Sequence, residues 1–313
     1  MGHPVRGVQP GGEPAASARD RGAWLVPLAC LLGAGTLLGL STNLAKLAAD
    51  AGLEPLPFLA WSVVGAALVL VVIAAARGRL PSIDARTLEY FLVSALVSVA
   101  APNLLFFSAV SHVGAGFVAL SIAFPPLLTY LGALLLRLER FDAIRATGVA
   151  LALAGAAVIA IPKLGAPGAA TLWIGATLLG PVFLAAGNLY RTLRWPPGAR
   201  PDALAPGMLM ASAVLLLALG LAPGVSLAVP LDRGLPILLI LAQVATFSLQ
   251  YLVFFLLQQR GGPVYLSLLG SVGAVVGVPV AVFLLGEAPP EGLALGAVLI
   301  AGGVALVTRK RIS

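Results

Sequence analysis

The sequence runs to 313 residues, of which 60% are hydrophobic and 10% charged. Soluble domains carry about 25% charged residues, so this chain cannot clothe a water-facing surface, and lipid must form part of its solvent. The formal charge of +7 sits in small basic clusters between long apolar runs, not on a stripe interleaved with aromatics; this excludes a nucleic-acid partner and points to loops flanking a lipid bilayer.

Residues 1–22 are Gly-, Pro- and Ala-rich, carry Arg6, Arg19 and Arg21, and read as a disordered cytoplasmic tail. Ten apolar stretches follow: Trp24–Leu47, Leu56–Ala76, Leu88–Val110, Gly116–Leu136, Ala143–Ile161, Leu172–Leu193, Ala203–Leu221, Leu235–Leu257, Val264–Leu285 and Glu291–Val307. A span needs about 20 residues, so ten spans and short loops account for almost the whole chain. Breakers separate them, among them Gly52 to Pro57, Gly78 to Pro81, Pro162 to Pro167, Pro196 to Pro201 and Gly261 to Pro263. A bilayer offers the backbone no hydrogen bonds, so each span must satisfy its own amides as a helix. Cys30 is the one cysteine, which leaves no disulfide framework and no cysteine-based metal site.

The basic residues set the orientation. With a cytoplasmic amino terminus, 16 of the 19 Lys and Arg fall on the inner side, and Lys46, Lys163 and Arg233 fall outside. An odd number of spans would spoil the alternation in one half. Both termini, including the short basic end at 309–313, are therefore expected in the cytoplasm, with the chain in the cell (inner) membrane.

The two halves share a weak pattern. A shift of 148 positions places Leu104, Phe106 and Phe107 on Leu252, Phe254 and Phe255, Gly114 on Gly262, Glu139 on Glu287, Gly148 on Gly296 and Gly155 on Gly303. A shift of 145 places Gly35, Asn43 and Leu44 on Gly180, Asn188 and Leu189. Two five-helix repeats are expected, over residues 23–163 and 164–308. Five is odd, so the second copy inserts upside down. The expected fold is an all-α integral membrane protein of ten transmembrane helices in two inverted repeats, the arrangement that places a binding site between two interconvertible gates.

The stretch Asn103-Leu104-Leu105-Phe106-Phe107-Ser108-Ala109-Val110, followed by Gly114-Ala115-Gly116-Phe117-Val118-Ala119-Leu120 and Pro125-Pro126, is fairly specific in order and spacing. So are the helix closed by Arg137-Leu138-Glu139-Arg140, the Gly148/Gly155 helix, and their echo in Gly286-Glu287 and Gly296/Gly303. Across roughly Trp24 to Val307 the chain resembles the drug/metabolite transporter superfamily, EamA type. That resemblance implies transport or facilitated export of small metabolites through a cavity surrounded by helices 1, 3, 4, 6, 8 and 9. The chain departs from the family in having Trp61-Ser62 early in helix 2, where an arginine is frequent.

No Asp or Glu falls near the middle of a span, which argues against an obvious proton or sodium relay. Lys46 either attracts an anionic group at the outer mouth or snorkels toward Asp50 or Glu54. Asn43, Asn103 and Asn188 either bind substrate or bond a neighbouring helix. On helix 8, Gln243, Thr246, Gln250 and Tyr251 share one stripe of an otherwise apolar helix and are expected to face the substrate path. Tyr265 joins them as a candidate. Pro125 and Pro126 disturb helix 4, where Ser121 and Thr129 can bond the carbonyls they free. Glu139 and Glu287 close helices at opposite faces and are expected in ion pairs that hold the fold or a gate. Stripes at Gly148/Ala152/Gly155 and Gly292/Gly296 read as close packing. No catalytic constellation, cofactor motif or metal-ligand cluster is present in the sequence, so an enzyme is not expected and no cofactor is called for. The reading is a permease for a small-molecule substrate working by alternating access, with a homodimer kept open. A non-transporting membrane subunit or scaffold and a lipid-carrier flippase component stand as alternatives.

Overall fold

A computed structural model of the chain describes residues 25–138, 140–165, 171–230, 234–267, 269–289 and 291–308. The expectations for the 1–22 tail, for Glu139 and for the 309–313 end lie outside the described residues, and so does the side chain of Tyr265. The described chain is helical, with no strand among its residues. The helices are α1 (Leu25–Asp50), α2 (Pro55–Ala76), α3 (Ala85–Val113), α4 (Ala115–Leu135), α5 (Ala143–Gly165), α6 (Thr171–Leu193), α7 (Pro201–Leu219), α8 (Gly234–Ser267), α9 (Leu269–Leu284) and α10 (Leu293–Thr308). Among the described residues seven of these, α1 to α4 and α6 to α8, are long and apolar enough to cross a membrane, and α5, α9 and α10 contain shorter apolar helical segments. Outward-facing apolar side chains fit that setting: Val72 is 66% exposed and Phe283 83%, which lipid tolerates and water does not.

Local sequence explains the helix ends. Asp84 starts α3 with a capping box: its carboxylate accepts from the backbone N–H groups of Arg86 (2.9 Å) and Thr87 (2.8 Å), and its own N–H donates to Thr87 Oγ1. The Thr87 N–H, first among these bonds, holds the Asp84 carboxyl below the usual carboxylate range. Within α3, Pro102 cannot donate to the carbonyl of Ser98, and the residues just before it, Leu96–Ala100, widen into a π turn. In α4, Pro125 and Pro126 remove two consecutive donors, and the helix divides into Ala115–Ser121 and Pro125–Leu135. Ser121 Oγ donates to Val118 O (2.7 Å), a turn before the carbonyls that the prolines free. A second π turn, Val280–Leu284, follows Pro279 in α9.

One boundary differs from expectation. The break predicted at Gly261 to Pro263 does not interrupt α8, which runs on to Ser267, and α9 begins at Leu269 instead of Val264. A proline inside a helix costs one backbone bond, and at 34 residues the helix is longer than a span needs, so its last turns continue past the length of the apolar run.

The helices meet in a regular scheme. α1 packs on α8 and α9, α6 packs on α3 and α4, and three further pairs join α2 to α7, α4 to α9 and α5 to α10. The small-residue stripes let α5 and α10 touch backbone to backbone. A Cβ on Gly155 would lie 2.7 Å from the Gly296 carbonyl oxygen, and one on Gly303 would lie 2.4 Å from that of Gly148. Phe58, Phe107 and Phe247, with centroids 5.5 and 6.4 Å apart, tie α2, α3 and α8 into the core.

Candidate functional site

The irregular backbone of the bundle converges on one small cavity of about 90 Å³. Ser98 comes from the π turn of α3 and Asn103 from the turn after Pro102; Ile122 and Pro125 come from the break in α4; Gly270 comes from α9. A Cβ on Gly270 would fall 1.8 Å from the Ile122 carbonyl oxygen, so glycine is what lets α9 close against the broken segment. α6 contributes Asn188 and Arg191, and α8 contributes Gln250, Tyr251 and Phe254.

Several polar atoms here are incompletely used. Asn103 donates to Val99 O (2.7 Å). The buried Gln250 Oε1 and Ser98 Oγ have no hydrogen-bond partner among the described residues. Such atoms are costly to bury without a partner, and others of the kind, Gln243 Oε1 and Asn43 Oδ1 among them, lie outside the cavity.

Arg191 dominates the electrostatics. It is 7% exposed, its Nη2 donates to Asn188 Oδ1 at 2.7 Å, and its guanidinium lies 5.3 Å from the centre of the Phe254 ring. Tyr90 and Tyr251 lie within electrostatic reach. Asn188 in turn reaches Thr129 Oγ1 with its amide nitrogen at 3.5 Å, the outer limit of a hydrogen bond. Among the described residues no carboxylate pairs with Arg191. The acid next in sequence to Tyr90 is already engaged: Glu89 accepts from Arg194 at 2.8 and 3.1 Å and from the Tyr190 hydroxyl at 3.3 Å. Tyr90 stacks on Tyr190 and meets Trp195 edge-on, so an aromatic cluster and an ion pair cover Arg191 where α3 begins and α6 ends.

The candidates named from sequence divide. Asn103, Asn188, Gln250, Tyr251 and Pro125 line the cavity. Asn43 does not: its amide donates to Gly39 O (2.8 Å) and Gly277 O (3.1 Å) and knits α1 to α9. Gln243 is fully buried and donates to Ser41 Oγ at 2.6 Å, joining α8 to α1, while Thr246 bonds back to Ala242 O of its own helix. The polar stripe of α8 is therefore shared between packing and cavity, because its first turns face α1 instead of open space. Pro126 is buried behind Pro125. Lys46 pairs with Asp50 one turn on, the snorkelling arrangement.

Glu287 makes a contact of another kind from the one expected. Its carboxylate accepts from the N–H groups of Ala115 (2.7 Å) and Gly116 (3.1 Å), so it caps the amino terminus of α4 instead of pairing with a cation. The free donors of a helix start attract a carboxylate as a cation would.

Arg191 escaped the sequence reading because it was counted with the loop charges. Setting it aside leaves the basic residues divided fifteen to three, so the orientation argument stands. A signal was available: at the 145-residue shift that matches Asn43 to Asn188, Lys46 falls on Arg191.

Two larger hollows lie elsewhere. A groove of about 300 Å³ between α2, α7 and α8 holds Arg77 and the Arg79–Asp202 ion pair (2.6 Å). An open apolar groove of about 670 Å³ is bounded by Trp61, whose indole donates to Leu227 O at 2.9 Å. Neither gathers buried polar side chains from both halves of the chain. No cluster of metal-ligating side chains occurs among the described residues.

Residues 25–161 match the EamA-like transporter family. A solved structure described as a crystal structure of a protein superposes with a TM-score of 0.60 at 21% identity, covering 91% of this chain and 96% of its own, a likeness of fold. No curated relative matches.

Proposed function

From the premise that the chain carries an EamA-like transporter domain over residues 25–161 and is a multi-pass membrane protein, we propose that it moves a small metabolite across the membrane by alternating access to the central cavity. The observation that carries this reading is the cavity itself. Ser98 and Asn103 from the first half meet Asn188 and Gln250 from the second, at a depth where α3 and α4 both depart from regular helix. Irregular backbone inside a membrane is tolerated where it lines a cavity, and transporters place their sites at such breaks.

In this reading α1 to α10 are ten spans, and the halves are inverted copies. The packing scheme supports it: exchanging the halves turns α1 on α8 and α9 into α6 on α3 and α4, and leaves the pairs α2–α7, α4–α9 and α5–α10 in place. Two hydrogen bonds behave likewise. Asn43 reaches Gly277, and Asn188, 145 positions on, reaches Thr129, which lies 148 positions before Gly277. The termini are cytoplasmic by the basic-residue bias, and the cell (inner) membrane is the location.

Counterflow into proteoliposomes, loaded in turn with amino acids, nucleosides, sugars and organic acids, tests the proposal. Accelerated exchange of at least one class supports it. Exchange equal to protein-free liposomes for every class refutes it.

A further inference from the structure

We propose that the cavity holds its solute by an anionic group, a carboxylate or a phosphate, bound to Arg191. This inference rests on the transport reading above and deepens it. A guanidinium buried among helices carries a heavy desolvation cost unless something negative accompanies it. Arg191 is 7% exposed, spends one hydrogen bond on Asn188, and has the faces and hydroxyls of aromatic residues for its remaining company. Five N–H donors are available on a guanidinium, so most of its capacity is unspent.

Lys46 holds the matching place in the first half and is neutralised by Asp50, four residues on. The residue four on from Arg191 is Trp195, and no acid takes its place. Glu89, one position before Tyr90, has its carboxylate occupied by Arg194 and Tyr190. The missing countercharge at Arg191 is therefore a feature of this half, and a bound anion supplies it. Arginine suits the task, because its planar fork matches both carboxylate and phosphate geometry.

The cavity has space and polar neighbours for such a group. About 90 Å³ has room for a carboxylate or phosphate head. Gln250 and Asn188 line the same cavity and give an anionic group polar neighbours.

The test is binding, read as thermal stabilisation of the full-length protein in nanodiscs at fixed ionic strength set with chloride. The probes are L-lactate, propionate and methyl phosphate, with lactamide and glycerol as uncharged counterparts. We expect the wild type to be stabilised by L-lactate and propionate or by methyl phosphate, and not by the uncharged probes; which kind of anion acts identifies carboxylate or phosphate as the source. Arg191→Gln should weaken that binding on the order of 10–100-fold, and Arg191→Lys should retain part of it. Stabilisation equal for charged and uncharged probes overturns the proposal, as does anion binding unchanged in a folded Arg191→Gln protein. If Arg191→Gln does not fold, the charge preference of the wild type and the partial binding of Arg191→Lys decide in its place. Exchange of neutral solutes without any anion binding overturns this proposal and leaves the transport reading standing. Anion binding without exchange of any solute overturns the transport reading instead.

Discussion

Removing the carboxylate of Glu287 should loosen the joint between α9 and α4 by a predictable amount. Gly286, at φ 67°, turns the chain at the end of α9, and the Glu287 N–H bonds back to Ala281 O at 3.0 Å, so the side chain leaves from a fixed point. It then accepts from two N–H groups at the start of α4, where Gly114, at φ 86°, admits it. Hydrogen bonds to a charged group contribute about 1.5–3 kcal/mol, and a carboxylate at a helix start adds about 0.3–1 kcal/mol. Glutamine keeps one acceptor and loses the charge, so Glu287→Gln should cost about 1–2 kcal/mol. Glu287→Ala loses both bonds and should cost about 2–4 kcal/mol. Equilibrium unfolding in mixed micelles with increasing SDS measures this directly. Gly114→Ala provides an independent handle, because its Cβ would lie 2.9 Å from Glu287 Oε2 in a backbone conformation unfavourable to alanine. The two substitutions touch one contact, so their double variant should lose less than the sum of the singles. Additive losses, or a Glu287→Ala cost below about 0.5 kcal/mol, would refute the capping role.

Three further outcomes are expected. Gln243→Leu should lower stability while leaving solute exchange by the folded protein near normal, since Gln243 bonds Ser41 and does not line the cavity; loss of exchange at normal stability would put it in the substrate path. Gly155→Leu and Gly303→Leu should sharply reduce the yield of folded protein, because neither helix has room for a side chain at the α5–α10 contact; normal expression and melting would contradict that packing. Reporter fusions after Arg311 should be active with a cytoplasmic reporter and silent with a periplasmic one, and the reverse would overturn the orientation.

The helices were legible because lipid forces apolar, self-satisfied segments, and the apolar runs of the sequence are those segments. Pro125-Pro126 were legible as a disturbance for the same reason: a missing N–H has no remedy within the helix. The end of α8 was not, since Gly261 to Pro263 has the composition of a loop and yet stays within the helix. Among the polar candidates, composition separates Gln243 from Gln250 no better than Asn43 from Asn188. Each faces packing or cavity according to which neighbours stand opposite, Ser41 and Gly277 in one case and the residues of the cavity in the other, and that is a property of helix arrangement. Arg191 was hidden because a basic residue in the last turn of an apolar run can point outward to the interface or inward, and charge counting assumes the first. Glu287 was correctly placed at a helix end, but its partner is a set of backbone donors, which have no letter in the sequence.

The central claim is that solute passes through the cavity formed by both halves. Counterflow in proteoliposomes, comparing the wild type with Asn188→Leu and Gln250→Leu at equal membrane abundance, tests it most directly. Faster exchange than protein-free liposomes, lost on the order of tenfold or more in both folded variants, is the predicted result. Wild-type exchange no faster than the protein-free control, or full exchange in both variants, would contradict the account.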